Sequence, residues 1–197
     1  MTFIIIDTST PYYLCIIASD QAIQFSHLEK YPSKEAADLF LTQIFQGLDG
    51  LGMGVADLAA IIVTNGPGSL IALRTGLSIA QAMACAHQLP VYVVGSMALY
   101  ACAMRKPVFM DARCGHFYYY KDFSRQYPDM YPASDIALVQ DDCLVAGDCS
   151  FDIESQQVLD VKNIAQLHRA AFELIKSIKP VLASEVSGFY LKPAVSE

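Results

Sequence analysis

From Leu58 to Met104 a single formal charge, Arg74, interrupts an otherwise uncharged stretch. A segment of that length and apolarity has to be the buried centre of a folded unit, because water would otherwise meet too much hydrocarbon. Its internal order narrows the fold further. Ile61-Ile62-Val63-Thr64 is a continuous apolar run of the kind found in a parallel sheet covered on both faces. The turn Gly66-Pro67-Gly68-Ser69 follows, then a helix from Ser69 to about His87, a strand at Val91–Val94 and a helix from Ser96 to Met104. Strands alternating with helices in this way specify an α/β protein. Leu70 to Ala86 is about as long as a membrane span, yet it carries Arg74, Thr75, Ser78 and Gln81 and reads as a buried helix.

The flanks extend the pattern. Phe3–Ile6, Tyr12–Ala18 and Ala22–Leu28 are β-type runs separated by Thr8-Ser9-Thr10-Pro11 and Ser19-Asp20, which predicts an antiparallel meander. A helix is expected from about Ser33, which can cap it, to about Leu48, before a cluster of glycines. The order is βββαβαβα, and charge and proline return at Arg105-Lys106-Pro107. We therefore expect an N-terminal lobe over residues 1–104 and a smaller C-terminal lobe over 105–197. In the second lobe Val108–Asp111 and His116–Tyr120 read as a hairpin that echoes the start of the chain, with Asp111 placed like Asp7. A loop over Gln126–Ser134, a short strand at Cys143–Ala146, a helix over Ile164–Ile178 and an extended tail from Pro180 complete the expectation.

Composition excludes some function classes. The net charge of −7, with no basic run, argues against a chain that grips phosphate backbones by itself. With 54% apolar and 17% charged residues there is surplus apolar surface to hide, for which self-association or a partner is a natural sink. The six cysteines include no Cys-x-x-Cys pair and read as reduced, small hydrophobes. Met1-Thr2 runs straight into a strand without a charged leader, so a cytoplasmic location is the default expectation.

Two turns could carry chemistry. In Asp7-Thr8-Ser9-Thr10 the hydroxyls and N–H groups after a buried strand can converge on a phosphate, with Asp7 holding hydrated Mg2+; an ordinary Asx turn explains the same residues. Gly66, Gly68 and Ser69 place the positive end of a helix at a turn that suits an anion, or the glycines merely permit the turn. This is no Walker A loop, since no Gly-Lys-Ser/Thr follows. Arg74, early in its helix, needs a carboxylate partner or water. Ala72, Gly76, Ala80 and Ala84 form a small-residue strip that would let another helix, or a neighbour within the fold, come close. The four histidines occur singly, so neither catalytic nor metal-ligating residues are assigned.

Taken together, Asp7-Thr8-Ser9-Thr10, Asn65-Gly66-Pro67-Gly68-Ser69 with Leu73-Arg74-Thr75-Gly76, and Asp111-Ala112-Arg113-x-Gly115-x-x-Tyr118 resemble the TsaB family, also called YeaZ. Leu89-Pro90-Val91, Val145-Ala146-Gly147-Asp148 and Tyr190-Leu191-Lys192-Pro193 extend the resemblance over most of the chain. It implies the actin-like (ribonuclease H-like) fold of sugar kinases and Hsp70, two lobes on a βββαβα theme with the second shortened. It also implies a non-catalytic scaffold that activates a TsaD-like catalytic partner in forming threonylcarbamoyladenosine in tRNA, with a TsaE-like ATPase in the assembled complex. On this reading tRNA is met mainly through partners, the free chain can homodimerise, and no cofactor is required, although weak or interfacial ATP or ADP with Mg2+ is compatible with the fold. The resemblance places the partner interface on the first two helices, here Phe40, Leu41, Ile44, Phe45, Leu73, Arg74, Leu77, Ala80 and Met83. The alternative is a small actin-fold phosphotransferase using Asp7 and the Thr8–Thr10 turn.

Overall fold

A computed structural model describes residues 1–32, 34–139, 142–147, 149–151, 157–158 and 161–189. Two five-stranded sheets organise it. The first comprises β1 (Phe3–Asp7), β2 (Tyr13–Ala18), β3 (Ile23–Glu29), β4 (Ala60–Thr64) and β5 (Val91–Val94) in the order β3-β2-β1-β4-β5. The second comprises β6 (Val108–Arg113), β7 (His116–Tyr120), β8 (Asp129–Pro132), β9 (Leu144–Val145) and β10 (Gln157–Val158) in the order β8-β7-β6-β9-β10. The two orders are the same topology: a meander of three antiparallel strands, then two strands added parallel to the first. The match between Asp7 and Asp111 noted in the sequence is thus a structural duplication, since each lies in the first strand of its sheet. This is the actin-like, ribonuclease H-like α/β fold.

Period-two alternation in the central strands sends side chains to both faces, and both are covered. Ile4, Ile6, Cys15, Ile17, Ile61 and Val63 face α1 (Ala36–Gly50) and α2 (Leu70–His87) in one apolar cluster. Ile5, Leu14, Ile16 and Ile62 face the other way, onto α3 (Ser96–Met104) and α4 (Ile164–Ile175). That same cluster continues into Val108, Met110 and Tyr120 of the second sheet, so α3 and α4 are a layer shared by both sheets. The outer face of the second sheet, Phe109, Phe117 and Tyr119, is covered among the described residues by Tyr131, by Ile136 of a 3-10 helix (Ala133–Leu138) and by Phe151, with no α-helix in that cluster.

Two local expectations change. Residues 129–132 form the edge strand β8, where a loop was expected; Pro132 is tolerated at its exposed end, and Tyr131 stacks on Phe117 at 5.5 Å. The capping position Ser33 lies outside the described residues, and the helix itself runs from Ala36 to Gly50. The tail after α4 returns to the first sheet. Val181 bridges Val91, and Gln81 donates to the carbonyls of Ala183 (3.3 Å) and Val186 (2.9 Å).

Candidate functional site

The Asp7 turn lies at the carboxyl end of β1 and is almost fully buried: Asp7 is 3% exposed, Thr8 1%, Ser9 3% and Thr10 4%. Such polar density survives only if every group finds a partner. Asp7 Oδ1 accepts from the Ser9 N–H (2.9 Å) and the Thr64 hydroxyl (2.6 Å), and Oδ2 accepts from the Tyr100 hydroxyl of α3. Tyr100 also meets Ser9 Oγ at 2.6 Å. Because the phenol proton goes to Asp7, the serine is the donor in that pair. The Thr8 hydroxyl donates to the Ala72 carbonyl at 2.7 Å, and the Thr10 hydroxyl to that of Tyr12 at 3.4 Å. Burial, then the neighbouring Asp7 charge, pushes the Tyr100 phenol well above the ordinary tyrosine range. The phenol thus stays protonated and donates to Asp7.

The glycine turn is pressed against the Asp7 turn. A Cβ on Gly68 would lie 2.4 Å from the Ser9 carbonyl oxygen, and one on Gly76 would lie 2.5 Å from Thr8 Oγ1. Glycine is required at both by contact with the other turn. The small-residue strip has the same explanation: Ala72, Gly76, Ala80 and Ala84 are buried against the first sheet, letting α2 sit close to it. Ser69 caps α2 without a side-chain hydrogen bond.

The two repeats meet across a cleft of about 560 Å³ lined by Ser9, Thr10, Gly68, Ser69, Lys30 and Arg113, among others. Asp7, Thr8 and Gly66 are not among the residues that line it. On the far wall Asp111 accepts from the Ser150 hydroxyl (2.6 Å) and N–H (3.0 Å) and the Arg113 N–H (2.7 Å). Burial raises its pKa, but these hydrogen bonds and the Arg113 charge outweigh that and lower it overall. His116, near Asp111 in sequence, instead points its Nδ1 at the Cys114 carbonyl. Among the described residues no group of His, Cys, Asp or Glu could hold a metal ion. With Asp7 3% exposed and both its oxygens accepting hydrogen bonds inside the fold, the turn does not fit a hydrated Mg2+, whose coordination shell needs an accessible carboxylate.

The structure corrects most of the interface assignment. Phe40, Ile44, Leu73, Leu77, Ala80 and Met83 are buried in the chain's own core, at 0%, 0%, 0%, 6%, 0% and 5% exposure. Helical periodicity marks an apolar stripe without saying which neighbour covers it, and here the first sheet does. Leu41 is partly buried, while Phe45 and Arg74 are exposed; Arg74 makes no ion pair among the described residues. Sequence reasoning missed the residues on the outer face: Leu39, Leu70 and Ile71, at 39%, 45% and 71% exposure, with Ser78, Ala82, Cys85 and Ala86 also exposed. The available signal was that Arg74 is the only formal charge along α2, so its face away from the buried stripe is nearly uncharged. No described helix is long and apolar enough to cross a membrane.

Known proteins place this arrangement. A family model described as TsaD, tRNA N6-adenosine threonylcarbamoyltransferase, matches residues 33–187. A tRNA threonylcarbamoyladenosine biosynthesis protein TsaB from Bacillus subtilis is 30% identical over 124 residues, 60% of this chain and 53% of that protein. A tRNA N6-adenosine threonylcarbamoyltransferase from Streptococcus uberis is 35% identical over 74 residues, 38% of this chain and 22% of that protein. The chain thus spans about half the length of the one and a fifth of the other. The solved structure of YeaZ from Pseudomonas aeruginosa superposes with a TM-score of 0.73 at 23% identity, over 96% of this chain and 99% of that one. The chain belongs to the family that the matching model describes as TsaD, tRNA N6-adenosine threonylcarbamoyltransferase, and its motifs are similar to those of the TsaB, or YeaZ, proteins.

Proposed function

We propose that this chain is a non-catalytic subunit of the machinery that forms threonylcarbamoyladenosine in tRNA, docking on a TsaD-like catalytic partner through the outer face of α1 and α2. The observation that carries the docking surface is the exposure of Leu39 and Phe45 on α1 and of Leu70 and Ile71 on α2, two helices covering one face of the same sheet. Between Arg74 and the terminal His87, the exposed positions of α2 are the small, uncharged Ser78, Ala82, Cys85 and Ala86, which lets a partner helix approach closely. A TsaE-like ATPase would join the assembled complex, tRNA would be met mainly through partners in the cytoplasm, and the same face would serve a homodimer of the free chain. The phosphotransferase alternative has no comparable support, because both Asp7 oxygens are engaged inside the fold.

The test is co-purification with a TsaD-like partner. Ile71→Glu and Phe45→Glu are expected to weaken capture at least about tenfold while circular dichroism stays that of the unsubstituted protein, as for truncated interface anchors. Threonylcarbamoyladenosine formation should require the partner and be undetectable with this chain alone. Undiminished capture of both variants would refute the docking face, and modification activity of the isolated chain would refute the non-catalytic role.

A further inference from the structure

The turn after β1, whose residues suggest a phosphate and metal cradle when read from the sequence, is closed by a side chain of the same protein. Tyr100 is fully buried, with its hydroxyl between Asp7 Oδ2 and Ser9 Oγ. One turn earlier on α3, Ser96 binds the other turn: its N–H donates to the Gly66 carbonyl at 2.9 Å, and its Oγ accepts from the Gly66 N–H at 3.1 Å. Helix α3 therefore ties both turns together from below through two residues on one of its faces. The chain's own hydroxyls satisfy what a ligand would otherwise satisfy. Thr64 and Tyr100 supply Asp7 with two hydroxyl donors, and the backbone N–H of Ser9 supplies the third.

We propose that Tyr100 is a built-in substitute for the metal and phosphate of this fold, holding the Asp7 turn closed without any cofactor. A hydrated Mg2+ would have to displace a phenol proton already committed to Oδ2 and would need room for its waters where the ring of Tyr100 stands. Asp7 is 3% exposed and Tyr100 fully buried, and neither is among the residues that line the cleft. The two turns are then a permanent part of the core, interlocked with α2 at Gly68 and Gly76, and their geometry does not cycle with nucleotide. This inference concerns the isolated chain and does not depend on the identity of its partner.

Thermal unfolding and calorimetric titration with Mg-ADP and Mg-ATP test it on the full chain. The expected result is no saturable magnesium-dependent heat and no rise in Tm at millimolar nucleotide. A magnesium-dependent Tm rise in the unsubstituted protein that disappears in Asp7→Asn would overturn the proposal. A double-mutant cycle reads the lock directly: Tyr100→Phe and Asp7→Asn should each lower Tm, and together by less than the sum, short by roughly 2 °C or more. Strict additivity would also overturn it. If Asp7→Asn does not fold, the titration of the unsubstituted protein decides alone, a saturable heat counting against the lock and its absence for it.

Discussion

Asp7 and Asp111 occupy equivalent places in two copies of one topology, yet their surroundings have diverged. Asp7 is buried against Tyr100 and does not line the cleft, whereas Asp111 lines it, with Ser150 and the Arg113 N–H as donors. Because the folded state lowers the Asp111 pKa, the unfolded chain binds this proton more readily. Its contribution to stability is therefore complete above the unfolded value of about 4 and is lost as pH falls through the lower folded value. Asp111→Asn should be less stable than the unsubstituted protein at neutral pH, and urea midpoints of the two should converge as pH falls below about 4. Parallel curves over that range would show that Asp111 is not the titrating group. At the other turn, Gly76→Val should cost about 1–3 kcal/mol in urea unfolding, because the new side chain must push Thr8 off the Ala72 carbonyl.

Helix α2 shows how one element serves two surfaces. Its inner face, Leu73, Leu77, Ala80 and Ala84, lies on the first sheet, and the alanines and Gly76 bring the backbone close enough to touch the Asp7 turn. The outer face keeps Ile71, Ser78, Ala82 and Cys85 in solvent. Substitutions by the same residue should separate the two. Ala80→Glu buries an unpaired carboxylate against the sheet and should cost more than about 4 kcal/mol, enough to prevent recovery of folded protein. Ile71→Glu should change stability by no more than about 0.5 kcal/mol. Equal stabilities in thermal melts would place the wrong face inward.

At the scale of the whole molecule the chain closes on itself. The segment from Val181 to Phe189 follows α4, crosses back to the first sheet and adds a bridge beside Val91. Val186 is buried at 5%, Gln81 holds two carbonyls of the segment, and the Phe189 N–H donates to the Asn65 carbonyl at 2.7 Å. Tyr127 and Phe189 stack with ring centroids 4.0 Å apart. This strap covers the open edge of β5 and braces α2 from the side opposite α1's strand neighbours β2 and β3. Truncation after Lys179 should lower unfolding free energy by about 2–4 kcal/mol, from lost side-chain burial and hydrogen bonds, measured as a shift in urea midpoint. An unchanged midpoint would mean that the strap adds nothing to the fold.

The run of uncharged residues from Leu58 to Met104 was enough to establish a buried strand-turn-helix unit, because hydrocarbon of that extent has no place but the interior. The meander before it, the repeat of Asp7 at Asp111 and the boundaries of α2, β5 and α3 were legible for the same reason, being written in local periodicity and turn chemistry. What periodicity does not encode is the neighbour. That α2 turns Ala80 to the sheet and Ile71 to water, that Tyr131 pairs as an edge strand, and above all that Tyr100 reaches Asp7 from ninety-three residues away, depend on contacts between distant segments. Only the tertiary structure decided those, because a buried polar group is satisfied by whatever donor the fold brings within reach.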